Sequence, residues 1–289
     1  MYLYYLPQMT CSRNVLLQRK TGTFTTSGGY GIYAYYCAYA PVIEKNYVDA
    51  RSYGIRAYYL NSVYTSGTRG KMNNNMFALS GTSTIYGAYF YYCREMDVFN
   101  NTIHVNTTGT STTYVWQLSG SSGYNLDFRN NWASYIGAGT GYLFYNNTSA
   151  YFTNFNYNAF YSASTASQFY YNGTTYANWA ALPRTTHNVN SVFGLPYFIS
   201  DTDLHSRSHV GYQAGVAVTG VVDDIDGDSR LTPPCIGADE YPAPPPEYDL
   251  AVADVRLNYA DSKWARIEGA ATHAVDVVRG LAEFGCEVD

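Results

Sequence analysis

A short phrase built around one asparagine repeats along most of the chain and constrains the fold strongly. In the stretch 86–105, YGAYFYYCREMDVFNNTIHV, apolar residues stand five and three positions before Asn101 and two positions after it. Alternation of period two is typical of a half-buried strand, and an asparagine between two strands is typical of a turn. The same phrase recurs around Asn46, Asn75, Asn131 and Asn158.

The spacing of these asparagines defines the repeat. Successive asparagines are 29, 26, 30 and 27 residues apart. A repeat of this length, made of strands and turns without a helical period, predicts the coil of a solenoid. Stacked coils place equivalent residues about 4.8 Å apart. The residues three positions before each asparagine then form an apolar column of Ile43, Met72, Val98, Phe128 and Phe155. The asparagines form a second column, in which each amide can bond to the next coil.

Three coils open on a glycine followed by an alternating stretch: GIYAYYC (31–37), GIRAYYL (54–60) and GAYFYYC (87–93). We expect each glycine to turn the chain at positive φ. Cys37 and Cys93 both follow Tyr-Tyr at the same place in their coils, and another coil separates them, so we predict buried free thiols rather than a disulfide. No C-x-x-C pair occurs among the cysteines, which disfavours a zinc site. The other three are Cys11, Cys235 and Cys286.

Composition supports an all-β chain and excludes some classes of partner. Only 13% of the residues are charged, and the 33 tyrosines favour strands. The formal net charge of −5 offers no basic surface for nucleic acid or for an anionic membrane. No run of residues approaches the ~20 apolar positions of a membrane span.

Both ends of the sequence suggest a piece of a longer parent chain with further domains. The start, MYLYYLPQMTCSRN, has no basic region followed by a clean apolar run, so we do not interpret it as a signal peptide. The end, GLAEFGCEVD, stops without a closing element.

The phrase apolar-x-apolar-x-x-Asn-x-apolar resembles the repeat of right-handed parallel β-helix proteins with the pectin-lyase-like fold, over about residues 10–240. The stretches NSVFGLPYFISDTDLHSRSHVGYQAG (190–215) and DDIDGDSRLTPPCIGADEY (223–241) resemble the closing segment of bacterial secreted β-helix proteins. One departure is Ser208-His209, where that group usually has Ser-Pro. The resemblance implies an extracellular or cell-surface protein of bacterial origin.

The predicted organisation is therefore a right-handed parallel β-helix over 1–241, with a closing segment from about 183 that caps its C-terminal end. Before the cap, TTYANWAAL (174–182) spaces its apolar residues as a short helix that packs on the stack. Residues 242–248 form a proline-rich linker. Residues 249–289 are too few for a full sandwich, and their first strand resembles the start of a bacterial immunoglobulin-like module.

The position four residues before each asparagine faces outward and carries Lys71, Asp97 and Asp127 on successive coils. Two carboxylates about 5 Å apart on neighbouring coils suit a retaining glycoside hydrolase. The resemblance adds a polysaccharide lyase, in which aspartates hold calcium and a basic residue removes the proton. The alternative is a solvated surface, since two exposed carboxylates repel by only ~1 kcal/mol in water and Lys71 offsets that.

A second candidate is a calcium loop formed by Asp224, Asp226 and Asp228 in the DIDGD motif. It is not an EF-hand, because Cys235 stands where the bidentate glutamate would be. The alternative is a turn in which the aspartate side chains accept backbone N–H groups, with Arg230 as their partner. Calcium is the one cofactor that these patterns suggest.

Outward aromatic residues are the third candidate: Tyr33, Tyr35, Tyr47, Tyr89, Tyr91 and Trp132. Aromatic rings on a flat parallel sheet can stack on sugar rings, although tyrosine also suits any exposed β surface. We therefore predict a non-enzymatic extracellular or cell-surface protein that binds a polysaccharide, a cell-surface glycan or another surface. The alternative is a polysaccharide lyase or glycoside hydrolase that acts on an acidic or plant or algal polysaccharide through Asp97, Asp127 and Lys71.

Overall fold

The computed structural model describes residues 1–18, 29–63, 67–120, 124–146, 152–164, 168–244, 254–257 and 265–268. The chain divides into two units, Met1–Pro244 and Pro245–Asp289. The first unit is a parallel β-helix, which confirms the predicted fold class.

Three sheets form the sides of this β-helix. Sheet 1 contains β1 (Tyr2–Tyr4), β4 (Tyr30–Tyr35), β7 (Tyr53–Tyr58), β10 (Tyr86–Tyr91), β13 (Thr113–Ser119), β16 (Gly141–Tyr142), β17 (Phe144–Asn146), β20 (Phe169–Tyr171) and β21 (Thr174–Tyr176). Sheet 2 contains β2 (Gln8–Ser12), β5 (Tyr39–Glu44), β8 (Gly70–Asn73), β11 (Met96–Phe99), β14 (Leu126–Arg129) and β18 (Phe152–Asn156). Sheet 3 contains β3 (Val15–Leu17), β6 (Tyr47–Ala50), β9 (Met76–Leu79), β12 (Thr102–Thr107), β15 (Trp132–Gly137), β19 (Ala159–Ser162) and β22 (Val192–Phe193).

Each coil contributes strands to the three sheets in turn, so equivalent residues pair between coils. The predicted apolar column is confirmed: Val98 pairs with Met72 on one side and with Phe128 on the other. These side chains are almost completely buried between the three sheets. Period-two alternation within each strand therefore supplies a continuous apolar core along the helix axis.

The predicted asparagine column is confirmed as a ladder of hydrogen bonds at the corner between sheets 2 and 3. The backbone N–H and the Nδ2 group of Asn101 both donate to Oδ1 of Asn131, at 3.1 and 2.9 Å. Asn14 precedes the predicted members, and Ser191 ends the ladder by accepting from the backbone N–H of Asn158. The residue before each ladder asparagine is left-handed, with φ between 53° and 59°: Arg13, Lys45, Asn74, Asn100, Asn130 and Tyr157.

The glycines that open the coils do not act as predicted. Gly31, Gly54 and Gly87 lie inside strands of sheet 1 and outside the left-handed region. A Cβ on Gly87 would lie 2.3 Å from the carbonyl oxygen of Val115, in the next coil. These positions need glycine because neighbouring backbones approach closely there.

The short helix predicted over 174–182 is reduced to one 3-10 turn, Trp179–Ala181, because Thr174–Tyr176 forms β21 instead. The side chain of Asn178 caps the turn by accepting from the N–H of Ala181. The Trp179 ring packs against the core beside Phe160 and Phe193, as the prediction of packing on the stack required.

The closing segment (183–241) does more than cap the end of the β-helix. It runs back along the outer side of sheet 3 and the adjacent corner. Asn130 binds the backbone of Val216 through both side-chain atoms, and Asn100 donates to the carbonyl of Cys235. Nearer the N-terminal end, the hydroxyl of Tyr47 donates to the carbonyl of Thr202. Much of this side of the solenoid is therefore covered by chain that follows it in sequence.

All four described cysteines are buried free thiols, which confirms the prediction for Cys37 and Cys93. Burial raises the pKa of the Cys93 thiol to about 12. Cys286 lies outside the described residues. Within the described part of the chain, no helix has the length and apolar character that a membrane crossing requires.

The second unit contains the antiparallel pair β23 (Asp254–Leu257) and β24 (Ala265–Glu268). The rest of the predicted module over 249–289 lies outside the described residues, as does part of the predicted linker.

A tyrosine face on sheet 1 as the candidate functional site

The outward side chains of sheet 1 form three columns along the β-helix, and the residues that directly follow four of its strands form a fourth; together they are named the tyrosine face. Column 1 is Tyr30, Tyr53, Tyr86, Tyr114 and Tyr142. Column 2 is Tyr2, Tyr33, Arg56, Tyr89, Gln117, Tyr145 and Tyr170. Column 3 is Tyr4, Tyr35, Tyr58, Tyr91 and Ser119. Column 4 is Tyr5, Tyr36, Tyr59 and Tyr92.

The two outer columns are stacked ladders of rings. In column 1 the rings of Tyr53 and Tyr86 lie 4.7 Å apart with an interplanar angle of 12°. In column 4 the rings of Tyr36 and Tyr59 lie 4.4 Å apart at 14°. Most ring faces in these ladders are therefore covered by the neighbouring ring, which leaves edges and hydroxyl groups toward solvent.

The two inner columns are arranged differently. The ring of Tyr58 lies 5.6 Å from that of Tyr89 at 60°, and 5.0 Å from that of Tyr91 at 41°. Inclined rings expose part of their π faces as well as their hydroxyls. The inner columns thus form a strip of mixed apolar and hydrogen-bonding character between two stacked ladders.

Three hydroxyl groups of the face stay protonated over a wide pH range. Burial among neighbouring side chains is the largest effect on Tyr33, Tyr53 and Tyr89, and it raises the pKa of each hydroxyl to about 12. A protonated phenol both donates and accepts hydrogen bonds. At neutral pH these three tyrosines therefore carry no charge.

Four of the predicted sugar-contacting residues lie in the inner columns: Tyr33, Tyr35, Tyr89 and Tyr91. Trp132 does not, and the prediction that it offers an exposed sugar-binding ring is wrong. Its side chain points out of the coil on sheet 3 but is 0% exposed, because the closing segment covers it with Phe198 and Ile236. The closing segment also covers Tyr47, which is partly buried and packs beside Met76.

On sheet 3, Ser134 and His104 are buried in the same way and meet Asp201 of the closing segment, whose side chain is exposed. Nδ1 of His104 lies 3.0 Å from Oγ of Ser134, and its Nε2 lies 3.4 Å from Oδ1 of Asp201. Ser134 is 0% exposed, and Phe198 packs against the His104 ring. A nucleophile in this position cannot meet a polymeric substrate, so we interpret the contacts as fastening the closing segment.

The proposed catalytic column has the predicted register, with Asp97 paired between Lys71 and Asp127. The carboxylates are, however, already engaged by arginines. Oδ1 of Asp97 accepts from Nε of Arg69 at 2.5 Å. Both oxygens of Asp127 accept from Arg129, at 2.6 and 2.7 Å. This arrangement favours the structural interpretation, since neither carboxylate stands ready for a substrate.

The DIDGD motif forms a turn in which an aspartate side chain accepts backbone N–H groups, as the alternative to a calcium loop predicted. Oδ1 of Asp224 accepts from the backbone N–H groups of Asp226, Gly227 and Asp228 at 2.8–2.9 Å. Its Oδ2 accepts from the N–H of Glu240. Arg230 pairs with the Glu240 carboxylate at 3.1 Å instead of with these aspartates.

His205 joins two parts of the closing segment. Its Nδ1 contacts Oδ1 of Asp203, and its Nε2 lies 2.8 Å from Oδ2 of Asp226. Burial alone lowers the pKa of His205, but hydrogen bonds and charges from the aspartates outweigh that effect and raise it to about 9. The imidazole is therefore a cation at neutral pH.

The same histidine belongs to a group with metal-ligand spacing. Ligand atoms of His205, Asp226 and Asp239 lie within 4.8 Å of one another, beside a cavity of about 390 Å³. A metal would need a deprotonated imidazole nitrogen. Because the aspartates hold the proton on His205, this group acts as an ion-pair latch, and the proposed calcium residue Asp226 is part of it.

No family model, curated protein or solved structure matches this chain. The tyrosine face is therefore interpreted from its own geometry and chemistry.

Proposed function

We propose that this chain is part of an extracellular or cell-surface protein that binds a polysaccharide through the tyrosine face rather than acting as an enzyme. The observation that carries the proposal is the periodic array of half-buried tyrosine rings on sheet 1. The resemblance of the repeat and of the closing segment to bacterial secreted β-helix proteins of the pectin-lyase-like fold supports this location.

A saccharide chain suits this surface on chemical grounds. A sugar presents apolar C–H groups on the faces of its ring and hydroxyl groups around its edge. The inner columns offer inclined rings for the C–H groups, and tyrosine hydroxyls that donate and accept for the sugar hydroxyls. Because coils repeat about every 4.8 Å, successive sugars meet equivalent environments. We therefore place the polymer lengthwise along columns 2 and 3.

The close packing of the rings favours such binding. The rings are held by their neighbours in contacts between 4.3 and 6.4 Å from centroid to centroid. Side chains that are already ordered lose little conformational entropy when a ligand binds. Weak contacts repeated along a polymer then add up to useful affinity.

The test is a panel of immobilised polysaccharides probed with wild-type protein and with the double variant Tyr89→Ala/Tyr91→Ala. Each lost ring contact is worth about 0.5–1.5 kcal/mol. The double variant should therefore bind about fivefold to a hundredfold more weakly. The matched control is Tyr197→Ala, because Tyr197 is an exposed tyrosine of the closing segment.

Two results would contradict the proposal. One is that the wild type binds none of the panel; the other is that the double variant and Tyr197→Ala bind as well as the wild type. Unfolding curves of both variants check that any loss of binding is not a loss of fold.

The enzymatic alternative keeps one supporting observation, the adjacency of Lys71, Asp97 and Asp127 in register. It predicts that the wild type releases reducing or unsaturated ends from an acidic or plant or algal polysaccharide. Asp97→Ala and Asp127→Ala should then remove that activity. Absence of release by the wild type across the panel eliminates this alternative.

A further inference from the structure

Arg56 interrupts the tyrosine face at its centre. The described strands of sheet 1 carry no other charged residue. Arg56 stands in column 2, directly between Tyr33 and Tyr89 of the neighbouring coils. A single cation in an otherwise uncharged aromatic surface calls for a physical explanation.

The guanidinium is enclosed by four tyrosines. Its central carbon lies 4.8–5.4 Å from the ring centroids of Tyr30, Tyr33, Tyr53 and Tyr58. Nη1 donates to the hydroxyl of Tyr30, and Nη2 donates to the hydroxyl of Tyr58, both at 2.6 Å. These contacts fix the orientation of the guanidinium plane.

The contacts orient Arg56 without neutralising it. Across the described residues, no carboxylate pairs with it, whereas Arg69, Arg129 and Arg230 all have one. Phenol hydroxyls and ring faces stabilise a cation but leave its full positive charge in place. That charge sits in a surface of low polarity, where an incoming anion is attracted more strongly than in water.

The remaining hydrogens define what this charge can bind. A guanidinium has five N–H groups, and Nε of Arg56 is buried without a partner. After the bonds to Tyr30 and Tyr58, each η nitrogen keeps one further N–H. The two hydroxyls accept from Arg56, so their own hydrogens point elsewhere. Two N–H and two O–H donors around one positive charge match a carboxylate or a sulfate group.

We propose that Arg56, Tyr30 and Tyr58 form a subsite for one oxyanion of an acidic polysaccharide, either the carboxylate of a uronic acid or a sulfate ester. The inference builds on the proposed polysaccharide binding and adds its charge selectivity. Because the face holds one cation, it selects one anionic group among neutral sugar contacts, rather than a densely charged polyanion.

The experiment uses two matched pairs of polymers: a polyuronate with its carboxyl-reduced neutral form, and a sulfated glucan with its unsulfated parent. The wild type should bind at least one anionic polymer about tenfold or more tightly than its neutral partner at low salt. The pair that shows this preference identifies the anion as carboxylate or sulfate. Arg56→Gln should remove the preference while it leaves binding of the neutral polymer within about twofold.

Two further variants make the result specific. Arg56→Lys keeps the charge but loses the planar fork, so it should retain only part of the preference. Arg184→Gln is the matched control, because the Arg184 guanidinium also lies over an aromatic ring, that of Trp179, but on the 3-10 turn instead of sheet 1. Its preference should equal that of the wild type. A full preference in Arg56→Gln, or equal binding of both members of each pair by the wild type, overturns the subsite.

A separate measurement distinguishes failure of the subsite from failure of polysaccharide binding. Inorganic sulfate and, in a separate series, acetate are titrated while tyrosine fluorescence is recorded. A saturable change in the wild type that Arg56→Gln lacks supports the subsite even when no polymer binds. No saturable change with either anion in the wild type, or an equal change in Arg56→Gln, overturns it.

Discussion

Sheets 1 and 3 both carry large side chains on their outward surfaces, yet only one of these surfaces is covered by described chain. On sheet 3, Met76 and Trp132 are buried beneath the closing segment. On sheet 1, the rings of Tyr58, Tyr89 and Tyr91 pack against one another and remain partly exposed. The difference follows from chemistry, since tyrosine has a polar end that water can satisfy.

The comparison shows that pointing out of a coil and being exposed are separate properties. The outward side of sheet 3 serves as a second core, which the closing segment completes with Leu204, Ile236 and Ala238. The outward side of sheet 1 keeps its hydroxyl groups toward solvent. A search for the functional surface therefore leads to sheet 1.

The largest expected effect comes from removing the largest ring beneath the closing segment. Trp132→Ala should lower the free energy of unfolding by about 3–5 kcal/mol, because it leaves a cavity in a fully buried cluster. Tyr91→Ala, on the exposed sheet, should cost about 1 kcal/mol, since it loses mainly ring contacts. Urea unfolding of the two variants measures both values. Equal losses would show that the two outward surfaces do not differ as described.

Periodicity predicted the parts of the fold that depend on spacing alone. The register of Met72, Val98 and Phe128 follows from the repeat length and the alternation of period two, as does the asparagine ladder. The burial of Trp132 does not follow from the repeat length or the alternation. Alternation shows which side chains point out of the coil, but not which later segment of the chain covers them. That information lies in residues more than sixty positions further along.

The sequence likewise predicted some residues of the candidate site and missed others. Tyrosines of columns 2 and 3 were found because they alternate along each strand. Arg69, which binds Asp97, was missed because it lies just before β8, in a stretch that lacks the period-two alternation of the strands. Arg56 did leave a signal: the opening GIRAYYL has an arginine where GIYAYYC and GAYFYYC have Tyr33 and Tyr89. Only the structure shows that no carboxylate among the described residues pairs with Arg56.

An intermediate effect is expected from a pair of adjacent residues on sheet 1. Gly87→Ala should cost about 2 kcal/mol, because its Cβ would press on the backbone of the next coil. Tyr86→Ala should cost about 1 kcal/mol or less, since Tyr86 faces outward in column 1. Thermal and urea unfolding give both values. If Tyr86→Ala proves the more damaging, the outer ladder and not the inner packing holds sheet 1 together.

The smallest expected effect is a pH dependence that separates the two surfaces. The pKa of His205 is raised from an ordinary 6.5 to about 9 in the folded protein. Its contribution to stability is thus fully present below about pH 6.5 and is lost as the pH rises to about 9. Because the ion pairs are partly exposed and screened, the loss should be about 1 kcal/mol.

Two aspartates near His205, Asp203 and Asp239, also change stability with pH, but they do so at lower pH than His205. The pKa of Asp203 is lowered, since hydrogen bonds from His205 outweigh the burial that would raise it, so its contribution appears above its ordinary pKa and fades in acid. The pKa of Asp239 is raised to about 6, mainly by burial, so it favours the folded state less as the pH rises from about 4 to 6. Between pH 7 and about 8.5, therefore, His205 dominates the change in the closing segment, because the Cys235 thiol has an ordinary pKa of 9.0 and affects stability only at higher pH.

Hydrogen exchange at pH 7 and at about pH 8.5, corrected for its intrinsic pH dependence, measures this change locally. The closing segment should lose protection by about 1 kcal/mol, whereas sheet 1 should not, because the ordinary pKa of a tyrosine hydroxyl, 10.0, lies above this range and the fold raises the pKa of Tyr33, Tyr53 and Tyr89 further, to about 12. His205→Gln should remove the difference, and His209→Gln, which leaves the latch intact, should keep it. Equal loosening of both surfaces would mean that His205 does not fasten the closing segment, and that sheet 3 is covered by apolar packing alone.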